Sequence, residues 1–132
     1  MPLSGPLNKT YTDGFMVVGD AAGQLDPVTG GGIHLAAFCA KVAGETAVEA
    51  VEKGDTSRNV LKKYDEIWRA KFEEKLLMAL KYRRAADKLS DRDMNGLAEF
   101  LEKNNLENLS KISAIKFLGK HPSLLKMIKD FL

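Results

Sequence analysis

A single cysteine in 132 residues leaves no internal disulfide to form, and such a count fits a reducing cytoplasm. No apolar run approaches the roughly 18 residues that a membrane span requires, and no N-terminal targeting pattern is visible. Neither sign of charge dominates: 20 lysines and arginines stand against 18 aspartates and glutamates, a formal +2. That balance gives no support to nucleic-acid binding by bulk electrostatics. The two histidines, His34 and His121, have no neighbouring ligand pattern, so no metal is expected. Repeats and low-complexity tracts are missing too.

What is present is concentrated between Gly14 and Ala40. A short apolar run, Phe15 to Val18, ends in Gly19-Asp20, a glycine- and proline-rich loop follows, and a small-residue helix opens after Gly30-Gly31-Gly32 at Ile33. Glycines can take positive φ and let a flat ligand approach the backbone. The first N–H groups of the helix have no partner within it and carry the positive end of the macrodipole, which suits an anion or an electron-rich ring. Asp20, ionised, is an acceptor for ligand hydroxyls. Pro27 fixes its own φ and presses Asp26 toward extended backbone, so the loop is stiff before a ligand arrives.

Gly19-Asp20-Ala21-Ala22-Gly23, followed by Pro27, Gly30, Gly32 and Ile33, resembles the second flavin-binding motif of FAD-dependent oxidoreductases of the hydroxylase type. With Pro2-Leu3-Ser4-Gly5-Pro6-Leu7, Thr10-Tyr11 and Asp13-Gly14 added, the segment from about 2 to 50 resembles geranylgeranyl reductases more narrowly. These include archaeal enzymes that saturate the isoprenoid chains of membrane lipids. The resemblance implies FAD as cofactor and an isoprenoid lipid as substrate. Asp20 would bind the ribityl chain, and the backbone of Gly30, Gly31, Gly32 and Ile33 would face the pyrimidine edge of the flavin ring. Gly19 and Pro27 complete the implied cofactor-binding set. Gly31 departs from the pattern, because reductases of this group often carry an acidic residue between the last two glycines.

The G-x-G-x-x-G turn that opens such enzymes is missing, and so is their substrate-binding sheet. The chain therefore reads as the C-terminal portion of an α/β, Rossmann-type flavoprotein, with residues 1–54 as the second flavin motif and 55–132 as a helical region. No catalytic residue is assigned, and the chain by itself is expected to show no catalysis and weak FAD binding at best. Two alternatives stand beside this reading. One is a hydroxylase or halogenase branch of the same superfamily; the other is a non-catalytic helical interaction module.

The fold expected is mostly α: one short N-terminal strand, then four or five helices. The first helix is expected over 33 to about 52 and closed by Gly54. A second is capped by Thr56 or Ser57 and runs to about 89, with Val60, Leu61, Tyr64, Ile67, Trp68, Phe72, Leu76, Leu77 and Leu80 at helical spacing. Ser90-Asp91 restarts a third to Lys103, and a break is expected near His121-Pro122. Cys39 reads as a buried small hydrophobe, and Trp68 and Phe72 as core rather than the lining of a prenyl tunnel. Ile112, Ile115, Phe117, Leu118, Leu124, Leu125, Ile128 and Phe131, interleaved with five lysines from Lys111 to Leu132, suit a helix pair over the core or contact with an anionic membrane surface. The expected location is cytoplasmic, with peripheral membrane contact as a second option. With its sheet missing, the strand over 13–18 is expected to pair with another copy of the chain, giving a homo-oligomer, or to leave strand conformation.

Overall fold

The computed structural model of the chain describes residues 3–104 and 111–129. Met1 and Pro2 at the head of the reductase-like motif, and Phe131 at the tail, lie outside the described residues, as do the side chains of Ile112 and Ile128. Two strands, β1 (Tyr11–Thr12) and β2 (Phe15–Met16), precede a 3-10 turn at Gly19–Ala22. Among the described residues five helices follow: α1 (Ile33–Lys53), α2 (Arg58–Ala86), α3 (Asp91–Lys103), α4 (Lys111–Lys120) and α5 (Pro122–Lys129). The chain divides into two compact units, Met1–Arg83 and Arg84–Leu132.

The mostly helical class matches the sequence reading, but the strand does not stand by itself. Phe15–Met16 pairs antiparallel with Tyr11–Thr12, Tyr11 opposite Met16 and Thr12 opposite Phe15. Gly14, at φ +68°, turns the chain between them. Phe15 and Met16 thus find their partner within the chain, where pairing with a second copy or loss of strand conformation was expected, while Asp13, Gly14, Val17 and Val18 lie outside the strand. A two-residue hairpin is marginal on its own. Here Asp13 anchors it, accepting from the Arg58 backbone N–H at 2.7 Å and from Arg58 Nη2 at 2.5 Å. Those bonds hold the Asp13 carboxyl down at about 2 and fasten the hairpin to the first turn of α2.

Helix α1 ends where Gly54, at φ +64°, takes the left-handed conformation and returns its N–H to Ala50 and Val51. Its buried face carries Leu35, Cys39, Val42, Ala43, Thr46 and Ala50 at three- and four-residue steps. That stripe packs on Tyr64, Trp68 and Leu76 of α2, with Met16, Val18, Phe38 and Phe72 at the margin. Phe38 and Phe72 meet edge to face at 5.2 Å. Trp68 is fully buried, so it is core and lines no tunnel. Burial pushes the Cys39 thiol up to about 11, which keeps it protonated and inert.

In the second unit, Ser90 opens α3 with a capping box. Its hydroxyl accepts from the Asp93 N–H at 3.2 Å, and the Asp93 carboxylate reaches back to the Ser90 N–H at 3.3 Å. Among the described residues, no helix is long and apolar enough to cross a membrane.

Candidate functional site

The candidate site is the backbone path from Val17 to Ile33. Gly19, at φ +71°, bends the chain into the 3-10 turn, and Gly23, at φ +69°, closes it with its N–H on the Asp20 carbonyl at 3.0 Å. Gly23 is demanded by packing. A Cβ there would collide with the Gly5 carbonyl and lie 2.8 Å from Pro6 Cα. This glycine therefore serves the fold, and the ligand-directed reading belongs to its neighbours.

Two polar side chains that the sequence did not single out hold the turn. Gln24 is fully buried. Its Oε1 accepts from the Gly19 N–H at 2.8 Å, and its Nε2 donates to Tyr64 Oη at 2.7 Å. The Tyr64 hydroxyl in turn donates to the Val17 carbonyl at 2.7 Å. Burial pushes Tyr64 up to about 12, so the hydroxyl keeps the proton that this bond uses. Their signal in the sequence was faint: a glutamine inside an otherwise small-residue motif, and a tyrosine on an apolar stripe.

A second buried network secures the strand that leads in. Thr10 gives its N–H and its hydroxyl to Asp65 Oδ1, at 3.0 and 2.5 Å, and Trp68 Nε1 donates to the Thr10 hydroxyl at 2.9 Å. Arg69 bridges Asp65 Oδ2 at 2.5 Å and the Leu7 carbonyl at 2.7 Å. Burial pushes the Asp65 carboxyl up, but the bonds from Arg69 and Thr10 outweigh it and hold the group below its ordinary value.

The loop beyond Gln24 is closed on itself. The Asp26 N–H donates to the Gly31 carbonyl and the Gly30 N–H to the Asp26 carbonyl, each at 2.8 Å. The Asp26 carboxylate accepts from the Val28 N–H at 2.8 Å, a bond that lowers its pKa. Pro27 is buried, and its carbonyl accepts from Arg83 Nη1 at 3.0 Å. Gly30 takes φ +72°. Gly31 is exposed and rests its N–H on Thr29 Oγ1 at 3.2 Å.

Gly32 is the N-cap of α1, and no side chain caps the helix there. A Cβ built on Gly32 would lie 3.0 Å from Leu25 Cβ and 3.4 Å from Asp20 Oδ1. The fold thus brings Asp20 and the head of α1 together, although 12 positions separate Asp20 from Gly32. Asp20 is exposed, and Ile33, the first residue of α1, is 91% exposed. His34 is exposed as well. A carboxylate acceptor next to uncapped N–H donors is an arrangement that can take a ligand bearing both hydroxyls and an electron-rich edge.

No family model matches the chain. The digeranylgeranylglycerophospholipid reductase 2 of Methanothermobacter thermautotrophicus is 48% identical over 132 residues, all of this chain and 34% of that protein. The digeranylgeranylglycerophospholipid reductase of Methanocaldococcus jannaschii is 49% identical over 135 residues, 99% of this chain and 34% of that protein. The chain is a homologue of part of these reductases. A solved structure, of a geranylgeranyl bacteriochlorophyll reductase-like protein from Thermoplasma acidophilum, superposes with a TM-score of 0.71 at 30% identity, covering 98% of this chain and 33% of that one. The chain thus spans about a third of the length of the reductases it matches.

Proposed function

We propose that this chain is the second flavin-binding segment, with its helical continuation, of an FAD-dependent reductase acting on the carbon–carbon double bonds of isoprenoid lipid chains. The observation that carries the reading is the placement of the Asp20 carboxylate against the glycine-built N-terminus of α1, where Gly32 leaves no Cβ in the way. In this reading Asp20 accepts hydrogen bonds from the ribityl hydroxyls. The backbone of Gly30, Gly31, Gly32 and Ile33 lines the pyrimidine edge; the N–H groups of Gly32 and Ile33 and the positive helix end face it, while those of Gly30 and Gly31 are held within the loop by Asp26 and Thr29. Gly19 shapes the turn that carries Asp20, and Pro27 stiffens the loop. FAD, when bound, supplies the redox chemistry, while the protein supplies position and charge.

The relatives' names favour the reductase branch over a hydroxylase or halogenase. Phe15, Val48 and Val51 are exposed apolar side chains of the first unit. On a chain one third the length of its relatives, they suit contact with the remainder of such a protein. A chimera tests the reading: these 132 residues replace the matching third of the Methanothermobacter reductase. Bound flavin and reduction of a geranylgeranylated lipid by the chimera are the expected results. A folded chimera that takes up no flavin would overturn the proposal.

A further inference from the structure

Helices α4 and α5 carry Lys111, Lys116, Lys120, Lys126 and Lys129 and not one acidic residue. Elsewhere four exposed lysines each sit four residues from a glutamate partner: Lys41 with Glu45, Lys53 with Glu49, Lys62 with Glu66 and Lys103 with Glu99. The acid-free helices are also fixed in orientation by what they bury. Phe117 stacks on Phe100 at 4.3 Å, and Leu124 is 2% exposed. His121 Nδ1 lies 3.1 Å from Asp93 Oδ1. Ile115, Lys116, Gly119 and Lys120 of α4 are all exposed, and helical geometry places Ile115 and Gly119 opposite the inward Phe117, with the two lysines on the flanks. Leu125 and Lys126 of α5 are exposed as well.

The outward surface is therefore cationic with apolar side chains set among the lysines, on a chain whose net charge is only +2. Apolar groups beside a basic stripe match the boundary between lipid headgroups and acyl chains, where both the charge and the apolar area find partners. A nucleic-acid surface would match only the charge. We propose that the outward face of α4 and α5 docks on the surface of an anionic lipid bilayer. This rests on the second unit and is independent of the flavin reading.

Each basic residue close to an anionic surface strengthens binding roughly fivefold. Co-sedimentation of the full chain with vesicles of phosphatidylcholine and phosphatidylglycerol should show binding that weakens as salt rises. Vesicles of phosphatidylcholine only should bind far less. The variant with Lys116→Gln, Lys120→Gln and Lys126→Gln should bind roughly a hundredfold more weakly, with its helical circular dichroism unchanged. Neutralising Lys41, Lys62 and Lys103 to glutamine should leave binding as it was. Failure to bind anionic vesicles would overturn the proposal, and so would an equal loss in the second set. Tighter binding of duplex DNA than of vesicles through the same three lysines would overturn it too.

Discussion

The Tyr64 hydroxyl stands 2.7 Å from both Gln24 Nε2 and the Val17 carbonyl, linking α2 to the two ends of the turn that bears Asp20. Both side chains are fully buried, and the bond between them is closed to water. Tyr64→Phe leaves the Gln24 amide and the Val17 carbonyl each short of a partner. The expected loss is about 1–3 kcal/mol, the usual cost of an orphaned buried polar group. Denaturant melts of the two proteins check this. An unchanged midpoint would mean that the turn is held by its backbone bonds.

Gly23 and Gly44 give a pair of opposite sign. Gly23→Ala forces a side chain onto φ +69° and into Gly5 and Pro6, where the obstacle is backbone and cannot swing aside. The left-handed conformation by itself costs roughly 1–2 kcal/mol, so the total loss should exceed that. Gly44 lies within α1 with open space where a Cβ would go. Gly44→Ala should gain about 0.5–1 kcal/mol through helix propensity. Thermal melts of the two variants should move in opposite directions.

The helices were legible because their punctuation is local. Gly54 closing α1, Ser90 opening α3 and the break at His121-Pro122 are each carried by one or two residues, and the structure places them there. The hairpin was not legible. Tyr11–Thr12 has no apolar alternation to mark it, and its pairing is anchored by an ion pair between Asp13 and Arg58, 45 positions apart. Within the site, the proximity of Asp20 to the head of α1 was implied by the order of turn, loop and glycine run. The supports Gln24, Tyr64, Thr10 and Asp65 were not, because buried polar pairs set 40 and 55 residues apart leave no periodicity to read.

The second unit should loosen in acid through Asp93. Hydrogen bonds from Ser90 and then His121 hold its carboxyl down at about 2, from an ordinary 3.8. A carboxyl depressed by folding stabilises fully above its unfolded value and loses that contribution as pH falls toward the folded one. The window is therefore pH 3.8 down to about 2. Asp93→Asn should lack this acid step in a circular-dichroism titration. Gly96→Ala tests the His121 part separately. A Cβ there would press on the imidazole, 2.8 Å from Nε2, and must displace the ring. Asp93 should then titrate closer to 3.8 by NMR, and an unshifted Asp93 would show that the His121 bond contributes nothing to it.

Asp20 separates a ligand-directed residue from a structural one. Its carboxylate is exposed and faces the head of α1, whereas the turn around it is held by Gln24, Gly19 and Gly23. Asp20→Ala should therefore change stability by less than about 0.5 kcal/mol, as surface substitutions do. In the chimera with the Methanothermobacter reductase, the same change removes a charged acceptor for hydroxyl groups, a bond of about 1.5–3 kcal/mol. Flavin affinity should then fall roughly ten- to a hundredfold. The two measurements, a thermal melt of this chain and a flavin titration of the chimera, must diverge if Asp20 serves a ligand. A large loss of stability with unchanged flavin affinity would make Asp20 part of the turn's own framework and remove the carboxylate from the proposed site.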